Sequence, residues 1–387
     1  MRVQIFFLWV LCGLCNQVMA QEEVVIDTLD ASLVEQAASL VEDVIDFVTI
    51  EKGRTTLSLY PMAGFSPRTG FIIGVMPVWR IRPRLNESSD FYRPTTIAPS
   101  AKISTKGMYE FDFDVQAFTA NRWMFISKFQ YMFLPDEFYG IGNQQKDPPF
   151  SRYDINRIAF KTDVLKGISA SWFLGLRLDV NYDDFTDVEG ELLNPSIPGF
   201  GGGWANGIGP ALAYDNRDDQ LYPTKGWFVM CSSAIYDGFM GSDYAFTSTS
   251  LDVRKFVSLH ADVSILGFQA MVNATTGDVP FYKLSSIGGN RMLRGIAHPY
   301  RYMDRHSWFV QAEWRRHIWW RLGTALFTGT GKVMPEFMQT PFSDLHWVAG
   351  AGVRFKVLPD EGLNFRVDFG VSNHGDNGVY FTLREAF

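Results

Sequence analysis

The sequence predicts an all-β protein: a transmembrane antiparallel β-barrel. Three observations carry that expectation. The 387 residues are rich in Phe (33), Tyr (15), Trp (11) and Gly (34), yet the mean hydropathy is only -0.04. That balance arises when alternate residues face lipid and a wet lumen. No run approaches the roughly 18 apolar residues that a membrane helix needs. From residue 54 onward, polar and apolar residues alternate with period two through many long segments.

The N-terminus reads as a secretory signal over residues 1–20. Arg2 supplies the positive start, the run from Ile5 to Leu11 opens the apolar stretch, and Val18-Met19-Ala20 is a small-residue cleavage site. Leu11 and Leu14, before Cys12 and Cys15, are bulkier than a lipoprotein signal favours. Processing leaves Cys231 and no disulfide within the chain. Residues 21–53 are acidic: Glu22, Glu23, Asp27, Asp30, Glu35, Glu42, Asp43 and Asp46 precede any Lys or Arg of the processed chain. Leu33, Ala37, Leu40, Val44 and Val48 recur at helical spacing behind a Ser32/Glu35 capping box, so a short N-terminal helix is expected over 32–47. The net charge of -7 is concentrated there, which argues against nucleic acid as a partner.

Residues 54–387 form the predicted barrel, with about sixteen strands, an even number as bacterial barrels require. The expected cores are 54–63, 71–81, 97–104, 108–118, 122–133, 154–164, 169–182, 206–215, 226–237, 244–257, 261–273, 307–316, 320–330, 346–356, 362–371 and 377–387. The clearest is 169–182, where Trp172, Leu174, Leu176, Leu178, Val180 and Tyr182 share one face and Phe173, Gly175, Arg177, Asp179 and Asn181 the other. In 363–371 Asn364, Arg366, Asp368 and Gly370 oppose an apolar face. Connections alternate between short and long. The long ones (134–153, 183–205, 274–306 and 331–345) define the extracellular side; 82–96 does not fit this alternation and is either a long periplasmic turn or a miscounted strand. The third long connection of this set in chain order, 274–306, is then extracellular loop six.

No catalytic constellation, metal-ligand spacing or cofactor motif stands out. The six histidines fall mostly at loop or turn positions, and His346 and His374 with Ser343 and Ser372 make only a forced hydrolase pair. Asp183-Asp184 reads as an exposed loop start or a calcium-attracting rim. The glycines of 199–203 lack the Lys-Ser/Thr of a phosphate loop. Arg177, Arg315 and Arg366 on lumen faces read as ion pairs across the barrel. The chain end, Asp376-x-Gly378-x-x-Phe381-x-Leu383 followed by Phe387, fits a signal by which barrel strands are recognised for insertion.

Loop six contains Gly288-Gly289, Leu293-Arg294-Gly295-Ile296 and Tyr302-x-Asp304-Arg305. Asp215-Asn216-Arg217-Asp218 with Pro223-Thr224-Lys225-Gly226-Trp227 forms a mid-chain turn, and Tyr380 to Phe387 closes the chain. With these motifs the stretch from Arg54 to Phe387 resembles the bacterial surface-antigen barrels of the BamA/TamA outer-membrane assembly family, in the short form without POTRA domains. The resemblance implies a loop six folded back into the lumen, with Arg294 meeting an acid. Parity puts Glu313 in the lumen with Phe309, Gln311 and Arg315, and makes it the expected partner. Gly329 stands where the family often carries a second acid, Ile296 where it has an aromatic, and Arg384 where a glycine often sits. The implied location is the bacterial outer membrane. The implied role is non-enzymatic: protein assembly or export as an accessory or partner of other outer-membrane subunits, through a seam between the first strand and the last. The alternatives are a passive pore for lipids or small molecules and an inert membrane scaffold.

Overall fold

The computed structural model describes residues 48–66, 68–83, 93–119, 121–143, 150–260, 263–337, 342–358 and 362–387. The expected signal peptide and the helix over 32–47 lie outside them, as do residues 84–92 of the connection 82–96. Sixteen long strands follow in order. They are β1 (Thr55–Ser66), β2 (Gly70–Ile81), β3 (Thr95–Ser104), β4 (Tyr109–Phe118), β5 (Trp123–Phe138) and β6 (Ser151–Gly167). Next come β7 (Trp172–Glu189), β8 (Gly207–Asp215), β9 (Gly226–Tyr236), β10 (Phe246–His260) and β11 (Ser264–Gly277). The last five are β12 (His306–Trp319), β13 (Leu322–Met334), β14 (His346–Leu358), β15 (Leu363–Ser372) and β16 (Asn377–Leu383). Each corresponds to one predicted core.

Antiparallel ladders join every consecutive pair from β1 to β16. The fold is a β-barrel in which each strand buries one face. On β7, Leu174 and Leu176 are 50% and 54% exposed on the outer face, while Phe173, Asp179 and Asn181 are buried on the inner one. Period two is thus the imprint of lipid outside and a filled lumen inside.

Three predicted boundaries need correction. β5 and β7 run on to Phe138 and Glu189, beyond the cores expected for them. Asp183 and Asp184 are therefore strand residues, not an exposed loop start: Asp183 is fully buried and accepts from Arg157 at 2.5 Å. A carboxylate already committed to a guanidinium, with a second bond from Asn181, makes no calcium rim. Third, β16 stops at Leu383, four residues short of the expected end. Arg384 takes a left-handed φ of 70° and turns the chain inward, and Glu385, Ala386 and Phe387 are buried.

Loop six carries its own small structure. Phe281–Lys283 is a 3-10 turn, and Ser285–Ile287 pairs antiparallel with Tyr302–Asp304. Phe281 and Tyr282 enter a buried cluster with Phe138, Tyr153, Phe185 and Tyr236. Aromatic rings from β5, β6, β7 and β9 and from the loop thus pack together inside the barrel.

Candidate functional site

The site is built on lumen-facing glycines. Gly329 and Gly331 on β13, Gly350 and Gly352 on β14, Gly370 on β15 and Gly378 on β16 all fall on the inner parity, so side chains are sparse on this stretch of wall. Loop six lies in that bay. A Cβ at Gly370 would collide with the carbonyl oxygen of Arg294, and one at Gly329 would stand 2.7 Å from the Leu293 side chain. Gly295, with φ of 143°, approaches β15 so closely that a Cβ would sit 2.6 Å from the Val371 carbonyl oxygen. Gly288 and Gly289 have φ of 120° and 92°, and the Gly289 amide donates to the Ile296 carbonyl at 2.8 Å. Ile296 is fully buried, packed with Ile287, Leu293, Tyr302, Phe309 and Val348. An aliphatic chain fills the place where an aromatic was the family expectation.

The bay aims Arg294 at two carboxylates. Its guanidinium donates to Glu313 Oε2 at 2.5 Å and to Asp368 Oδ2 at 2.6 Å, and all three side chains are fully buried. It also lies 3.8 Å over the Phe327 ring. Glu313 is the partner expected from strand parity. Asp368 was not assigned in the sequence, although it lies on the same inner face as Arg366. It replaces the acid missing at Gly329, whose own role is to seat Leu293.

Around this pair, Arg354 donates to Asp368 at 2.5 Å, to Glu313 at 3.1 Å and to Glu385 at 2.9 Å. Arg315 donates to Glu313 at 2.6 Å, and Arg366 pairs with Asp368. Together these are four arginines, Arg294, Arg315, Arg354 and Arg366, on three acids, Glu313, Asp368 and Glu385. Buried charges persist only with such partners. Further bonds tie the loop backbone to the wall: Arg366 to the Asn290 carbonyl at 2.6 Å, Gln311 to the Arg291 carbonyl at 2.8 Å, and the Gly295 amide to Tyr380 Oη at 3.2 Å. The arrangement can hold a loop inside a barrel and brace the wall against deformation.

An Omp85 superfamily domain matches residues 93–387. The chain belongs to the Omp85 superfamily. The fold is similar to BamA from Haemophilus ducreyi lacking POTRA domains 1-3, with 13% identity and a TM-score of 0.54 over 87% of this chain and 70% of that one. It is similar to CdiB from Escherichia coli, with 9% identity and a TM-score of 0.56 over 87% of this chain and 62% of that one. CdiB from Acinetobacter baumannii matches with 10% identity and a TM-score of 0.53 over 86% of this chain and 60% of that one. The chain therefore spans less than two thirds of either CdiB. No curated protein matches the sequence. The protein is an outer-membrane β-barrel.

The remaining predicted residues divide in two. In this Omp85 barrel, Asp304 stands apart from the arginine network. It accepts from the Arg305 amide at 2.8 Å beside His306, and burial holds its carboxyl above the ordinary range. Gly378, Phe381 and Leu383 lie on β16 opposite Gly370, Val367 and Phe365. Phe387 has left the sheet: its ring stacks 6.2 Å from that of Phe256 on β10, and its main-chain oxygen accepts from Arg315 at 3.0 Å. Glu385 beside it binds Arg354 and Asn364. No sequence signal marked this inward turn, because Arg384 has no glycine-like freedom. Of the groups considered for hydrolysis, the rings of His346 and His374 lie 4.6 Å apart. Ser372 Oγ, however, accepts from the His374 and Asp376 amides and caps a turn. Among the described residues, no group of three or more His, Cys, Asp or Glu is placed to hold a metal ion.

The two edges of the sheet carry the last feature. β1 is 12 residues long and β16 only 7. Among the described residues no ladder joins β16 back to β1, although every other neighbouring pair has one.

Proposed function

We propose that this barrel serves outer-membrane protein assembly or export as an accessory or partner subunit, working through the seam between β1 and β16. The observation that carries this reading is the unladdered edge: a 12-residue strand faces a 7-residue one whose continuation is tied into the lumen by Glu385 and Phe387. A seam without a ladder between its strands can admit another strand. The arginine network then keeps β12 to β15, the strands next to the edge, rigid while the edge parts. Affinity purification from the outer membrane tests it: recovery with subunits of an insertion or export machine is expected, and recovery alone would count against it. A disulfide across the β1–β16 edge should abolish function; intact function in the cross-linked protein would remove the seam from the mechanism.

A second reading, a passive pore, is favoured by charged side chains left accessible on inner faces. Lys128 pairs with Asp112 at 3.1 Å and keeps 48% of its side chain exposed. Deleting residues 286–305 should then raise conductance in planar bilayers sharply.

A further inference from the structure

The turn between β8 and β9, residues 216–225, does more than reverse the chain. It is folded on itself by two carboxylates. Asp219 Oδ1 accepts from the Leu221 and Tyr222 amides at 2.6 and 2.8 Å. Asp218 Oδ1 accepts from the amides of Thr224 and Lys225 at 3.0 and 3.2 Å. Such Asx-type bonds fix a turn's shape before it meets anything else. The root is held by Asp215, which pairs with Arg217 and with Arg93, just ahead of β3.

The turn then reaches the far wall. In a ring of sixteen strands the β8–β9 connection starts opposite the β16/β1 edge. Leu221 is nevertheless buried in one cluster with Tyr60 of β1, Val78 of β2 and Leu363 of β15, against which Leu383 of β16 packs. Arg80 of β2 donates to Asp219 at 3.1 Å. On the other side of the edge, a Cβ at Gly362 would stand 2.9 Å from Tyr222 Cβ, so the turn and the start of β15 are in close contact. Tyr222 lies under the arginine network: Arg315 is 5.8 Å over its ring, and burial, reinforced by Glu385, pushes its phenol up to about 12.

One element thus touches both sides of an edge that has no ladder. We propose that residues 216–225 form an internal strap, which closes the short-turn mouth of the lumen and staples β1–β2 to β15–β16 from inside. Mouth and seam open together when the strap withdraws. The strap is independent of whether the barrel assembles proteins or conducts solutes, since both require the same mouth to clear.

The test uses the full chain with Cys231→Ser, reconstituted in planar bilayers. Asp219→Ala with Leu221→Ala loosens the strap. Channel opening should rise roughly tenfold, the factor that follows from removing little more than one weak contact's worth of holding energy. Cross-linking by a short bis-maleimide between cysteines at Leu59 and Phe381, on the outer faces of the two edges, should fall in parallel. A heat-modifiable, folded variant with unchanged opening and unchanged cross-linking would overturn the proposal. Should that variant fail to fold, Arg80→Cys with Asp219→Cys decides instead. Opening should be suppressed when the pair is bridged by a disulfide-containing bis-maleimide and restored when reductant cleaves the bridge, and equal opening in the two states would overturn the strap.

Discussion

At the scale of single residues, Arg294 does two things at once: it neutralises buried acids and it fixes loop six against glycine. Arg294→Ala leaves Glu313 and Asp368 facing each other with one cation fewer, and should destabilise the folded barrel by about 3–5 kcal/mol, the cost of breaking a buried pair from one side. Arg294→Lys keeps the charge but loses the fork that reaches both acids, so it should recover only part of the loss. Urea unfolding of the reconstituted protein, followed by heat-modifiability on gels, measures both. Gly370→Ala places a methyl group on the Arg294 carbonyl; the loop should leave its bay and become cleavable by added protease. Half of this site was legible in the sequence. Glu313 follows from strand parity alone, because the inner face of β12 is set by period two. Asp368 shares the inner parity of β15, yet its meeting with Arg294 depends on how the wall curves over three further strands, which no local pattern encodes. Nor does local sequence show that Gly329 is a seat rather than a lost acid.

At the scale of elements, all sixteen strands were readable because lipid on one side and lumen on the other force the same alternation on each. The ends were less readable. Where β5 and β7 continue to Phe138 and Glu189, their inner faces still pack on loop six, but the apolar outer stripe gives way to mixed residues. The end of β16 was misjudged because its sequence keeps a strand-like character through Phe387, while the bend is set by tertiary partners of Glu385 and Phe387. That bend predicts a stabilising change. Arg384 holds a left-handed backbone, φ 70°, which costs a non-glycine residue about 1 kcal/mol. Arg384→Gly should therefore raise the unfolding midpoint, by an amount equivalent to about 1 kcal/mol, and leave the inward turn in place. Glu385→Ala should act in the opposite direction, since Arg354 and Asn364 lose their shared acceptor, and should free the tail to carboxypeptidase.

At the scale of the whole molecule, the barrel is braced unevenly. β12 to β15 are cross-tied through their lumen faces by loop six and four arginines, whereas among the described residues β1 and β16 lie side by side without a ladder and the turn 216–225 packs across them. Deformation should concentrate at that edge. Hydrogen exchange on the protein in lipid discs should be fast for amides of β1 and β16 and slow for β13 to β15; uniform protection would contradict an uneven wall. The glycine bay also dictates an order of events. Arg294 and Asp368 are 74 residues apart in sequence, and the floor under the loop is supplied by strands that emerge after it. Loop six therefore has nothing to dock on until β15 is in place, and the entropy of closing so long a stretch must be met before any of its contacts is gained. The barrel's assembly should then be a late-committing process. A chain carrying Gly370→Ala should insert its strands at the ordinary rate, yet stay protease-sensitive at loop six long after the wild-type protein has become resistant.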